Sequence, residues 1–130
     1  MREIDVRTAH QWMLNGDAEI IDVREAGEYA AIHIPGVKHV PLGGIAAAGL
    51  QPDGSKKLLF ICAAGGRSMR ACGMVSARAG QVYSVAGGMG AWKNAGLPTE
   101  GKGGFALTPR VLVIALIIVA LYLILKGFIR

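Results

Sequence analysis

The sequence predicts an α/β domain whose mostly parallel sheet of about five strands is flanked by helices, with one further apolar helix behind it. The first observation is that short apolar runs alternate with helical patterns over residues 1–99. The second is size, because 130 residues with 52% apolar composition suit one domain with a packed core and an appendage. The third is a charge-free stretch near the C-terminus.

Five short apolar runs are the expected strands. They lie near Ile4 and at residues 19–23, 37–40, 58–62 and 82–85. Such runs are typical of strands that are buried on both faces, as in a parallel sheet. The segments between them show helical patterns, at residues 9–15 behind a Thr8 cap, 26–31, 45–50, 68–79 and 89–95.

Residues 111–125 contain no charged side chain and are apolar on every side of the helix that they would form. A helix of this length covers only about 22 Å, against roughly 30 Å of membrane hydrocarbon, but Pro109 and the apolar flanks can lengthen it. We expect a transmembrane helix over residues 109–127 with a short basic end at 128–130. A Gly-rich linker, 100–108, joins it to the domain at 1–99. A buried core helix or an apolar tail that forms a crystal contact is the alternative.

The expected location follows from the ends of the chain. Residues 1–14 lack the apolar run of a secretory signal. Basic residues balance on the two sides of the expected span, so charge does not encode its orientation. We therefore expect a single-pass membrane protein, as in a bacterial inner membrane, with membrane lipid as a partner and the N-terminal domain in the cytoplasm by default.

Charge and cysteine content exclude several function classes. The net charge is +5 at pH 7, and residues 110–130 carry three basic and no acidic side chains. No basic face with interleaved aromatic residues appears, so nucleic acid is not an expected partner. Cys62 and Cys72 are too few for a disulfide framework, and with three scattered histidines they match no metal-ligand spacing.

The segment CAAGGRS, residues 62–68, places a thiol and a cation around a loop that has almost no side chains. Cys62 ends an expected strand and Ser68 opens an expected helix, so unpaired N–H groups and the helix dipole should stabilise negative charge between them. Together with Arg67 they favour the thiolate and lower the pKa of Cys62. Gly65 and Gly66 allow the loop to curl over the sulfur.

Two nucleotide-binding motifs fail on spacing. A Walker A loop aligned on Gly66 needs glycine where Ile61 stands and lysine where Arg67 stands. A dinucleotide fingerprint aligned on Gly88 and Gly90 needs a third glycine at Lys93. Neither interpretation is supported.

Three ordered motifs resemble the rhodanese-like sulfurtransferases. Residues 62–68 are similar to the family's loop C-x-x-G-x-R-S, IIDVREAGEYAAIHIPGVKHVPL is similar to its D-V-R to H-I-P-G segment, and AGGMGAWKNAGLP is similar to its ending. The resemblance implies a rhodanese-like three-layer sandwich. Cysteine phosphatases of the same fold place arginine six residues after the cysteine, whereas Arg67 follows Cys62 by five, which favours the sulfurtransferase branch.

The resemblance implies sulfur transfer without a metal or an organic cofactor. Cys62 would take a sulfane sulfur from thiosulfate, a small sulfur-containing anion, or from a persulfide donor, and pass it to a thiol or cyanide acceptor. The backbone of the binding loop would hold the persulfide, and Arg67 would bind the donor anion and brace the loop. The loop residues are Ala63, Ala64, Gly65, Gly66, Arg67 and Ser68.

By the same resemblance, Asp22 and Arg24 support the loop from below, with Glu28 as an ion-pair partner of Arg24. Cys72 is interpreted as a small core residue. The alternative function is a non-enzymatic module in which oxidation or persulfidation of Cys62 is sensed. A homodimer through the tail is open, by resemblance to membrane-bound relatives.

Overall fold

The computed structural model describes residues 2–50, 52, 55–75, 81–102 and 109–127. Within them a single five-stranded sheet forms the centre of the fold. Every strand pair is parallel, in the order β1-β5-β4-β2-β3. The strands are β1 (Arg2–Ile4), β2 (Ala18–Asp22), β3 (Lys38–His39), β4 (Lys57–Ile61) and β5 (Val82–Val85). The prediction of an α/β fold with a five-stranded parallel sheet is confirmed.

Five α-helices lie in these described ranges. They are α1 (Val6–Leu14), α2 (Ala26–Ala31), α3 (Gly66–Met74), α4 (Gly88–Asn94) and α5 (Pro109–Leu125). The predicted start of the first helix behind Thr8 is wrong. The N-cap is Asp5, whose side chain accepts a hydrogen bond from the Thr8 N–H at 3.1 Å, so Thr8 lies inside the first turn.

Two other predicted helices differ from the structure. The α-helix predicted at residues 45–50 is absent, because a short 3-10 helix at Leu42–Gly44 is followed there by turns. Gly49 adopts a φ of +63°, which a regular helix does not tolerate. Helix α3 begins two residues earlier than predicted and ends at Met74, before the extended residue Val75. Residues 76–80 of that prediction lie outside the described part of the chain.

The sheet separates two apolar cores, and β4 contributes to both. Leu59 and Ile61 pack with Trp92 of α4 and with residues of α1. Leu58, Phe60 and Cys62 point to the opposite face, where they pack with residues of α3. The alternation of side chains along a strand therefore directs Cys62 to the α3 face. This arrangement gives three layers, with helices on both faces of the sheet.

The prediction of a single membrane span over residues 109–127 is wrong. Helix α5 has 17 residues, and no helix in the described ranges is long and apolar enough to cross a membrane. At about 1.5 Å per residue, such a helix reaches about 26 Å, which is less than the roughly 30 Å of a hydrocarbon core. The predicted membrane localisation is contradicted by this finding. Apolar side chains of α5 such as Ile117 and Leu121 are more than half exposed.

The N-terminus of α4 holds the loop that follows β4. The N–H of Met89 donates to the carbonyl oxygen of Cys62 at 2.8 Å, and the N–H of Gly90 donates to that of Ala63 at 3.2 Å. Gly88 makes this close approach feasible. Its φ is +55°, and a Cβ there would lie 2.2 Å from the carbonyl oxygen of Cys62.

Gly88→Ala is expected to destabilise the protein by roughly 2–4 kcal/mol for two reasons: the alanine would have to adopt a left-handed backbone conformation, and its Cβ would clash with the backbone of Cys62 and Ala63. Gly43→Ala is the matched control, since that glycine has no positive φ and no described atom lies within 4 Å of the place that a Cβ would occupy. Urea unfolding of both variants measures the difference. Equal stability of the two variants would contradict the packing of α4 against the loop.

Candidate active site

Cys62 lies directly after β4, at the carboxyl edge of the sheet, and it is 1% exposed. The neighbouring strand β2 ends at the same edge, because Asp22 pairs in register with Ile61. In contrast to the cysteine, Ala63, Ala64 and Gly66 are exposed. The sulfur therefore sits at the bottom of a loop whose outer surface is mostly backbone.

The loop turns its backbone N–H groups toward the sulfur. The N–H of Gly65 donates to the Cys62 Sγ at 3.0 Å. Gly65 has a φ of +118°, which an L side chain rarely adopts, and it is the N-cap of α3. On the other side of the loop, α4 binds the carbonyl oxygens of Cys62 and Ala63, which fixes the two peptide units that follow the cysteine.

This environment lowers the pKa of Cys62 from its ordinary value. Burial alone would raise the pKa, because it disfavours the charged thiolate. Hydrogen bonding with the Ser68 hydroxyl and hydrogen bonds from the backbone N–H groups of Ser68, Gly65 and Ala64 outweigh burial. The arrangement can therefore hold a negative charge on sulfur without a metal ion.

A buried hydroxyl chain extends from the sulfur into the sheet. Ser68 Oγ lies 3.5 Å from Cys62 Sγ, donates to the Gly65 carbonyl oxygen at 2.9 Å, and lies 2.7 Å from Ser84 Oγ. Since the single Ser68 proton is used by Gly65, Ser84 must be the donor to Ser68 in this state. When Cys62 ionises, the Ser68 hydroxyl can turn to donate to the thiolate while Ser84 still supports it.

Ser84 is a site residue that the sequence reasoning missed. It lies in β5 and is fully buried. A hydroxyl residue inside the apolar run VYSV is the signal that could have indicated it, because a buried hydroxyl needs a partner. The partner itself comes from α3 and is visible only in the fold.

The guanidinium of Arg67 is bound by Glu28. Its Nη1 and Nη2 donate to Glu28 Oε1 and Oε2 at 2.6 Å and 2.9 Å. The predicted pairing of Glu28 with Arg24 is therefore wrong. Hydrogen bonds from Arg67, and then from the backbone N–H of Glu25, lower the pKa of Glu28 to about 2, and the pKa of Arg67 is raised by the same contact.

Arg24 instead pairs with Asp22, and both side chains are buried. The guanidinium of Arg24 donates to both carboxylate oxygens and also to the Ile32 carbonyl oxygen. Because the Val23 N–H donates to the Ile61 carbonyl oxygen, this pair lies beside the residue that precedes Cys62. The structure thus places the predicted supporting residues at the end of β2, next to the strand that leads into the loop.

Cys72 lies on α3 and its side chain belongs to the same apolar core as Cys62. Burial raises the pKa of Cys72 to about 11, and the residue is a free cysteine. The two thiols are thus expected to differ strongly in nucleophilicity at neutral pH. Among the residues that the structure describes, no group of three His, Cys, Asp or Glu side chains could hold a metal ion.

Ser84→Ala removes the donor to Ser68, so it should raise the pKa of Cys62 by roughly half a pH unit to one pH unit. Ser84→Thr keeps the hydroxyl and is expected to restore a value close to the wild type. The pH dependence of iodoacetamide alkylation at Cys62 measures the shift. An unchanged midpoint in Ser84→Ala would show that the second hydroxyl does not act on the sulfur.

Comparisons with known proteins agree with the resemblance carried by the three motifs. The family model of the rhodanese-like domain matches residues 4–95. Thiosulfate sulfurtransferase GlpE of Vibrio cholerae is 30% identical over 98 residues, which are 75% of this chain and 92% of GlpE. YtwF of Bacillus subtilis is 38% identical over 74 residues, 57% of this chain and 72% of YtwF.

A solved structure agrees with both. The crystal structure of a rhodanese-related protein from Thermoplasma volcanium superposes with a TM-score of 0.66 at 27% identity, covering 77% of this chain and 98% of that protein. The chain therefore belongs to the rhodanese-like domain family.

Proposed function

We propose that the protein is a sulfurtransferase that moves a sulfane sulfur from thiosulfate or a persulfide donor to a thiol or cyanide acceptor through a persulfide on Cys62. The single observation that carries the proposal is the set of N–H and O–H donors that converge on a buried sulfur and lower its pKa. The sulfurtransferase name of GlpE supports the same reaction class.

The first step uses the thiolate as the nucleophile. Cys62 Sγ attacks the outer sulfur of the donor, a new S–S bond forms, and the donor's own S–S bond breaks. With thiosulfate the departing group is sulfite. With a persulfide it is a thiolate, which leaves with the electron pair of the broken bond.

The second step discharges the enzyme. A cyanide carbon or an acceptor thiolate attacks the outer sulfur of the Cys62 persulfide, which releases thiocyanate or a new persulfide and restores the Cys62 thiolate. The loop backbone stabilises negative charge on sulfur in both resting forms. The turn at Gly65 fixes the N–H groups of the loop before the sulfur donor binds, so the loop needs little reorganisation during the reaction.

Intact-mass measurement after incubation with thiosulfate or cysteine persulfide tests the first step. The wild type should gain the mass of one sulfur atom, Cys62→Ser should gain none, and Cys72→Ser should gain as much as the wild type, because Cys72 is buried with a raised pKa. A wild type without added sulfur from either donor, or equal gain in Cys62→Ser, would contradict the proposal.

Cyanide added to the loaded wild type separates an enzyme from a sensor. We expect stoichiometric loss of the added sulfur and formation of thiocyanate. A persulfide that forms but does not react with cyanide or with thiols would instead favour a sensing module, since the protein would keep the added sulfur without turnover.

A further inference from the structure

We infer that Glu28 makes this loop selective for persulfide donors over thiosulfate, because it binds the guanidinium of Arg67 that would otherwise receive an anionic donor. The inference rests on the proposed sulfur transfer and assigns a specificity-determining role to a residue outside the loop. It concerns the choice of donor, not the chemistry at Cys62.

The contact between Glu28 and Arg67 is bidentate. Two guanidinium nitrogens face the two carboxylate oxygens, at 2.6 Å and 2.9 Å. This parallel arrangement is the geometry in which arginine would also bind the oxygens of a sulfonate or sulfate-like group. Since Glu28 already occupies that edge of the guanidinium, a donor anion has to displace a carboxylate to use it.

Glu28 is itself held in place. Its Oε1 accepts a hydrogen bond from the backbone N–H of Glu25 at 3.0 Å, as part of a capping box at the start of α2. The next residue, Tyr29, stacks between His33 and His39, with ring centroids 3.9 Å and 4.3 Å apart. The helix that carries the carboxylate is therefore anchored to the neighbouring segments.

The pair keeps its charges wherever the enzyme could work. The pKa of Glu28 is about 2, so the carboxylate is ionised at every pH at which Cys62 forms a thiolate. Arg67 remains protonated throughout. Arg67 is the only charged side chain of the loop from Cys62 to Ser68 besides the Cys62 thiolate, and Glu28 neutralises it, which leaves this part of the rim neutral.

The two donor classes respond differently to this neutral rim. Thiosulfate is a dianion and must approach a thiolate, so it needs a cation to offset the repulsion. A protonated persulfide, RS–SH, carries no charge at the attacked sulfur. Cys62 forms a bond to that sulfur, the S–S bond of the donor breaks, and RS⁻ leaves with the electron pair.

Glu28→Gln is the variant that tests the inference. The amide oxygen of glutamine can still accept the N–H of Glu25, so the capping box is kept while the charge that holds Arg67 is removed. We expect kcat/KM for thiosulfate to rise about five- to tenfold and kcat/KM for cysteine persulfide to change less than about twofold. Glu19→Gln, at an exposed position of β2, is the matched control for loss of one negative charge.

Three outcomes would overturn the inference. These are no selective gain with thiosulfate, an equal gain in Glu19→Gln, and a parallel fall with both donors, which would mean that Glu28 only braces the loop. Failure of the proposed function is a different result, because then the wild type would accept sulfur from neither donor.

Discussion

The hydrogen bonds that converge on the Cys62 sulfur are the interaction on which the rest of the site depends. They require N–H groups that point inward from a loop without bulky side chains, and the loop achieves this through the left-handed turn at Gly65. The carbonyl oxygens of Cys62 and Ala63, in the peptides just before this turn, are bound by the first N–H groups of α4. Two helices thus act on one loop. The N-terminus of α3 lies beside the sulfur, and the N-terminus of α4 holds the carbonyl oxygens away from it.

The charged residues next to this loop form two ion pairs. Arg24 and Asp22 form a buried ion pair at the end of β2, and removal of either partner would leave an unpaired buried charge. Arg67 and Glu28 form a second, partly exposed pair that links α3 to α2. The loop therefore combines a sulfur site made almost wholly of backbone and hydroxyl groups with ion pairs that surround it. This separation explains how a loop of alanine and glycine can keep one conformation.

The sheet was predictable from the sequence, because strands buried on both faces produce runs such as LLFIC that no amphipathic helix would contain. The loop was predictable because a cysteine, glycines and an arginine lie within seven consecutive residues. Contacts between distant segments were not predictable from the sequence. Ser84 contacts Ser68 because β4 pairs with β5, and Glu28 binds Arg67 instead of Arg24 because of the path of α2. The apolar C-terminal run was correctly predicted to be a helix, but its hydropathy did not reveal that it ends at Leu125, short of a membrane span.

Hydrogen bonds from the loop backbone and with the Ser68 hydroxyl lower the pKa of Cys62, and the central claim is that they favour its thiolate. The most direct measurement is the pH dependence of the alkylation rate of Cys62 in a Cys72→Ala protein, which reports a single thiol. We predict a midpoint below the ordinary pKa of a free cysteine thiol. A midpoint at or above that value would mean that burial outweighs the donors, and would contradict the central role given to them.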